Sequence, residues 1–284
     1  MVAPGTTSQA QTPIKKQMVA VLQGAFEISE RRACRALGFS RTTQRRNSPK
    51  GVKDLVLIER LRFLASERPR FGYRRLHLLL KRDGLAINHK RVYRVYRAEG
   101  LAVRQKVRRR LAVGERQQKP VVSAADQRWS LDFVTDQLAS GQRFRVLNVV
   151  DDFTRECLVM HVGVSITGHD VVRELAAVVR FRGPPQAIIT DNGPEFAGKA
   201  LDLWTHETGI SHLFIRPGKP VENAYIESFN GRLRDECLNL HWFQSLGQAR
   251  VILSAWRVDY NQVRPHTSLG GQTPDEFARL EQAG

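Results

Sequence analysis

Apolar residues recur at helical spacing through the first hundred positions and change to strand-like runs after Val121. Leu55, Ile58, Leu61 and Leu64 line one face, as do Leu76, Leu79 and Leu80, and the pattern predicts helices over 54–66, 72–83 and 88–99. Gly84 and Gly100 are placed to end the last two, where a left-handed residue costs least. Upstream, the chain turns helical from Gln17. Ser29 can cap a helix to about Leu37, Gly38 breaks it, and Ser40 can cap a second one. Beyond Val121, RWSLDFVT, RFRVLNVVDDFT and CLVMHVGV follow one another across short turns such as Ala139-Ser140-Gly141, as in an antiparallel meander. A helix over 168–181, a strand over 186–191, a helix over 196–208, a short strand over 210–215 and long helices over 223–240 and 246–261 complete the pattern.

Three meander strands followed by alternating helices and strands is the element order of a ribonuclease-H-like mixed sheet, so the fold class expected is an α/β core preceded by all-α helix-turn-helix modules. The layout expected is a mobile arm over 1–16, a helix-turn-helix over 17–48 and a second helical DNA-binding module over 53–102. A basic linker over 103–122, a core over 123–240 and a C-terminal helix and tail over 241–284 follow.

Charge sharpens this division. The chain carries a net +17, and residues 1–120 hold 29 Lys and Arg against 8 Asp and Glu, whereas residues 121–284 hold 16 against 20. Codon bias toward Arg would raise the balance everywhere, so the asymmetry points to a polyanion-binding front half. Arg41, Arg45 and Arg46 lie on the second short helix. Lys90, Arg91 and Arg94 alternate with Val92, Val95 and Tyr96 on another, and Arg108, Arg109 and Arg110 sit in the polar run VRQKVRRRLAVGERQQKP. Cys34, Cys157 and Cys237 are widely spaced, which argues against a zinc site or a disulfide framework. With no readable signal peptide and no apolar run near the length of a membrane span, a soluble cytoplasmic, nucleoid-associated protein is expected.

Three carboxylates stand out. Asp132 interrupts the apolar run Trp129–Val134, which is costly unless it is paired or ligates metal. Asp191 follows the run AIIT and opens Asn192-Gly193-Pro194, at the kind of strand end where α/β proteins place ligands. Glu227 shares a helix face with Asn223, Asn230 and Arg234, bordering the apolar stripe Ile226, Phe229, Leu233, Cys237 and Leu240.

In WSLDFVT, TDNGPEF and ENAYIESFNGRLRDE, Asp132, Asp191 and Glu227 resemble the Asp-Asp-Glu signature of retroviral integrases and insertion-sequence transposases. The 35 residues between the last two match the integrase-like subgroup. GYRRLHLLL, NHKRVYRVYRAEGL and the tail YNQVRPHTSLGGQTPDEF extend the resemblance to the downstream-frame (OrfB) transposases of the IS-three family.

The resemblance implies a DNA transposase using two Mg²⁺ ions, with Mn²⁺ as substitute. Asp132 is implied to bridge both, with Asp191 on one and Glu227 on the other. It also implies strand cleavage and strand transfer at element ends, with a first attack between the element's own two ends to give a circle. The partners implied are double-stranded terminal repeats and target DNA, and a homo-oligomer on DNA. Whether the product acts alone or as a fusion with an upstream-frame protein stays open. Arg234 is implied to lie near DNA, Asn223 and Asn230 on the same face are read as further DNA contacts, and RPGKPVE is read either as a mobile loop carrying Lys219 to DNA or as a plain connector. Glu195 and Asn192 are read as supporting the site or touching DNA, Asp152 as structural, and Arg264 and His266 as packing or capping residues. The competing readings are a catalytically inert DNA-binding regulator derived from a transposase, against which the intact carboxylate set speaks, and a ribonuclease-H-like nuclease without strand transfer, against which the integrase-type spacing and the tail motif speak.

Overall fold

The computed structural model describes residues 11–45, 54–103, 122–215 and 223–283. They fall into two compact units divided between Glu59 and Arg60.

The first unit holds helices α1 (Gln11–Phe26), α2 (Glu30–Ala36) and α3 (Arg41–Arg45) and the start of α4 (Leu55–Glu67). Ser29 caps α2, its Oγ accepting from the Arg32 amide, and Gly38 sits at φ +54° where the chain turns. Val19, Ala33 and Cys34 are buried with Leu22, Ile28, Leu37 and Phe39 around them. The helix begins at Gln11, inside the stretch expected as a mobile arm. Pro13 falls in its first turn, where the missing N–H would have had no intrahelical partner.

The second unit is built on a five-stranded sheet in the order β3-β2-β1-β4-β5, from β1 (Arg128–Gln137), β2 (Arg143–Asp151), β3 (Cys157–Gly163), β4 (Ala187–Thr190) and β5 (Ser211–Phe214). The first three strands form the antiparallel meander, and β4 joins β1 in parallel with Ser130 beside Ile189. Alternation along β1 sends Trp129 and Leu131 to one face and Val134 to the other. On the first face α7 (Gly168–Arg182) and α8 (Lys199–Thr208) cover Trp129, Leu131, Leu147, Val149 and Ile188. On the second, α9 (Ala224–Glu236) and α10 (Leu246–Gln262) cover Val134, Phe144, Val146 and Val150. The result is a mixed sheet between two helical layers, the fold class expected.

Two helices depart from the periodicity reading. The helix expected over 196–208 starts at Lys199, because residues 191–198 form a turn whose Gly193 carbonyl accepts from the Phe196 and Ala197 amides. The helix expected over 223–240 ends at Glu236, and a 3-10 turn takes over at Leu238–Leu240. That change of winding rotates Leu240 out of the apolar stripe and leaves it exposed, while Ile226, Phe229, Leu233 and Cys237 stay buried.

Helices α5 (Tyr73–Arg82) and α6 (His89–Ala98) belong to the same unit as the sheet, as does the rest of α4. The Arg68 guanidinium forms a forked ion pair with Asp259 on α10. Arg82 donates to the Val263 carbonyl and to Glu276 on α11 (Pro274–Ala283). Gly271, at φ +91°, lies against Leu78 so closely that a Cβ there would sit 3.1 Å from its side chain. Among the described residues no helix is long and apolar enough to cross a membrane.

Candidate active site

Asp132 stands in the middle of β1 on the face that α9 covers, opposite Asn148 on β2. Both residues interrupt apolar stretches of their strands, and both meet Asn230 of α9. The Asn148 Nδ2 donates to the Asn230 Oδ1 at 2.9 Å, and the Asn230 Nδ2 donates to the Asp132 Oδ2 at 2.8 Å. The other Asp132 oxygen accepts from the Phe133 amide at 2.7 Å. This chain settles which way the Asn230 amide points and gives Asp132 one orientation.

Followed two residues on, the parallel register of β1 and β4 brings Asp191 beside Asp132. Asp191 ends β4, its Oδ1 accepting from the Gly193 amide at 2.9 Å. A Cβ on Gly193 would lie 2.9 Å from that same oxygen, so the turn admits only glycine without a shift. Glu227 lies three residues before Asn230 on α9, about one turn away, and is exposed.

The three carboxylates share one electrostatic neighbourhood. Burial, with repulsion from Asp191 and Glu227, pushes the Asp132 carboxyl up to about 6, against the pull of its bonds to Phe133 and Asn230. Among the described residues, however, no three His, Cys, Asp or Glu side chains are gathered closely enough to hold one ion. Asp132 and Asp191 are fixed by hydrogen bonds, and Glu227 projects from the helix above them. A set of hard oxygen donors with an uncompensated buried charge suits a divalent cation of the Mg²⁺ kind.

Arg145 and Glu195 form an ion pair on the opposite face of the sheet, with the Arg145 guanidinium 3.9 Å above the Phe133 ring, which stacks on Phe196 at 5.0 Å. This ties the Asp191 turn to the strand carrying Asp132, a supporting role for Glu195. Asn192 is exposed beside it. Asp152 is buried, accepting from the Ser130 hydroxyl at 2.6 Å and the Arg128 guanidinium at 2.5 Å, which fits a structural residue. Arg264 is 1 % exposed and clasps Glu236 through Nε at 2.7 Å and Nη2 at 2.6 Å, and buried His266 stands edge-on to Tyr260 at 4.7 Å. Both are packing residues of the tail.

The structure corrects part of the DNA-contact set. Asn230 and Asn223 are buried, and Asn230 spends its amide on Asp132 rather than facing solvent. The i, i+4, i+7 spacing of Asn223, Glu227 and Asn230 put them on one face but did not say which edge of that face turns into the core. Arg234 is exposed. Arg41 and Arg45 each reach Glu30, at 3.3 and 2.8 Å, and stay largely exposed. Lys90 and Arg94 are exposed and Arg91 half-buried on α6, whose Asn88 cap accepts from the Lys90 amide. Arg46, Arg108, Arg109, Arg110 and Lys219 lie outside the described residues. Asn148 and Arg145 were missed. Asn148 carried the signal that singled out Asp132, a polar residue inside an apolar strand.

Two family models described as the integrase core domain match residues 122–220 and 208–274, and one described as an HTH-like domain matches 53–110, over α4 to α6. The chain is 48 % identical over 265 residues to the insertion element IS407 uncharacterized 31.7 kDa protein of Burkholderia multivorans, covering 93 % of this chain and 96 % of that one. It is 49 % identical over 259 residues to the IS476 uncharacterized 39.2 kDa protein of Xanthomonas euvesicatoria, covering 90 % and 75 %. The transposase InsD of insertion element IS2 from Escherichia coli is 28 % identical, covering 80 % and 79 %. Among solved structures, a chain of the simian T-cell lymphotropic virus intasome in complex with PP2A regulatory subunit B56 gamma has the same fold. Its TM-score is 0.50 at 16 % identity, covering 77 % of this chain and 74 % of that one. With an integrase core on the sheet, an HTH-like module on α4 to α6 and insertion-element relatives along nearly its whole length, the chain belongs to the insertion-sequence transposases of the IS-three family, proteins of DNA transposition.

Proposed function

We propose that the chain is a Mg²⁺-dependent polynucleotidyl transferase that cleaves a strand at an insertion-element end and joins the freed 3′-hydroxyl to another phosphodiester. Asp132, Asp191 and Glu227 serve as metal ligands, and the first joining links the element's two ends into a circle. The observation that supports this is the state of Asp132. It is a carboxylate held at a fixed angle in the sheet, raised by burial and by repulsion from two further carboxylates. An inert core gains nothing from that arrangement.

The ions, when bound, would activate the attacking oxygen and stabilise the leaving one, and Mn²⁺ would substitute. The chain's own residues do the rest. Asn148 and Asn230 hold the Asp132 carboxylate in one orientation, and the Gly193 amide does the same for Asp191. Glu227, free on the outer face of α9, closes onto the other two. The protein supplies no nucleophile, because water and then the 3′-hydroxyl attack. Strand transfer needs two ends held together, so the working form is an oligomer on terminal-repeat and target duplexes.

Glu227→Gln keeps the size of the side chain and removes its charge. Mg²⁺-dependent cleavage and joining of element-end duplex should vanish in this variant while DNA affinity stays within about twofold. Joining activity at the parent's rate would defeat the assignment.

A further inference from the structure

On the side of α9 turned away from Glu227, Tyr225, Arg232 and Glu236 fall within ~40° of one another at ~100° per residue. Around this stripe the fold gathers guanidinium groups from four separate elements. Arg75 comes from α5 and reaches the Glu236 Oε1 at 3.0 Å, and Arg264 comes from the tail and clasps the same carboxylate at 2.6 and 2.7 Å. Arg155, from the β2–β3 turn, lies 3.7 Å over the Tyr225 ring and donates to the Asp152 carbonyl. Arg232 donates to the Ser228 carbonyl one turn back at 3.1 Å.

Charge is out of balance here. Glu236 is taken by Arg75 and Arg264, and Asp152, the carboxylate near Arg155, is already paired with Arg128. Among the described residues, the four guanidinium groups outnumber the one carboxylate set among them, Glu236, by three charges in a partly desolvated cluster. The surroundings register that field: Arg75 and Arg232 are lowered by burial and by their arginine neighbours. His266 is pushed down to about 3, first by burial and then by Arg264, Arg232 and Arg75. Packed like charges with too few counter-ions are costly and call for an anion.

We propose that Arg75, Arg155 and Arg232, backed by the buried Arg264, form a binding site for a backbone phosphate of duplex DNA. Arg232 and Arg155 keep solvent access and hold neutral or aromatic partners, so their charges remain for a ligand. Planar guanidinium groups from different elements converge as phosphate recognition requires. DNA rather than a free phosphate is favoured because Arg75 lies within residues 53–110, matched by the HTH-like domain. Arg75 belongs to the HTH-like module, so the site exists only where that module and α9 meet. The inference rests on the chain's handling of duplex DNA and not on the carboxylates' catalysis.

The test measures binding of the full-length protein to labelled element-end duplex in EDTA, between 50 and 300 mM salt, for Arg232→Gln, Arg155→Gln and the double variant. The double variant should bind several-fold more weakly at about 0.1 M salt, with its slope of log affinity against log salt shallower by about one for each phosphate no longer neutralised. Its DNA-free melting temperature should hold or rise, because excess charge has gone. A parental slope and affinity would overturn the proposal, and so would a lowered melting temperature with unchanged DNA binding, the mark of a structural role. If 10 mM inorganic phosphate raises the parent's melting temperature, and the variants lose that protection while their duplex slope stays parental, the site takes free anions and the DNA assignment falls. Because binding is read without cleavage, an active Glu227→Gln protein would sink the catalytic reading and leave this result standing.

Discussion

Asp132→Asn offers the sharpest test of the electrostatics, because it removes one charge and little volume. In the metal-free fold the Asp132 carboxyl is raised to about 6, mainly by burial and then by Asp191 and Glu227, against about 4 in an unfolded chain. The folded state therefore binds this proton more tightly than the unfolded state. The stability it contributes is complete below about pH 4 and is lost as pH rises through 6. Two pKa units correspond to about 3 kcal/mol, an upper bound because Asp132 keeps partial solvent access. Asn at 132 avoids that loss, so in EDTA at pH 7.5 the variant should be more stable than the parent by on the order of 1–3 kcal/mol. For a unit of this size that is several degrees in melting temperature. The two proteins should converge near pH 4.5, and Mg²⁺ at pH 7.5 should raise the parent's melting temperature but not the variant's. Calorimetry across pH 4.5–8, with and without Mg²⁺, reads all of this. A variant less stable than the parent at pH 7.5 in EDTA, or parallel pH profiles, would refute the argument.

Other perturbations read other parts of the site. Gly193→Ala puts a methyl 2.9 Å from the Asp191 carboxylate and should cut cleavage at least tenfold with DNA affinity retained, and undiminished cleavage would show that the turn yields freely. Asn148→Ala leaves the buried Asn230 carbonyl without its donor, which should cost about 1–3 kcal/mol in urea unfolding and lower cleavage together with it. His266, depressed first by burial, stays neutral in the fold. Its share of stability is present above about pH 6.5 and is lost by about 2 kcal/mol at pH 5, so His266→Phe should flatten acid unfolding in that window.

Much of the architecture was legible because it rests on local rules. Six of the expected helices and all five strands fall within a few residues of their predicted places, since a buried face imposes its period on the residues that fill it. Asp132 was visible as a charge where an apolar side chain belongs, and Asp191 and Glu227 as parts of motifs with a known separation. Arg145 and Arg155 carried no comparable mark, because nothing in their local pattern names partners such as Glu195 and Tyr225, far along the chain, and Asn148, polar inside its strand as Asp132 is, belonged to no motif.

What the order of residues determines by itself is therefore the sheet and its covering helices, with Asp132, Asp191 and Glu227 singled out as candidates. Tertiary structure decided which polar residue serves which charge. It turned Asn230 inward onto Asp132, placed the helices from Arg60 onward in one unit with the sheet, and set Arg75 and Arg264, from distant elements, on a single glutamate. The reason is physical: periodicity reports burial along one element, whereas hydrogen bonds and ion pairs form between elements, at distances that exist only after the strands have found their register.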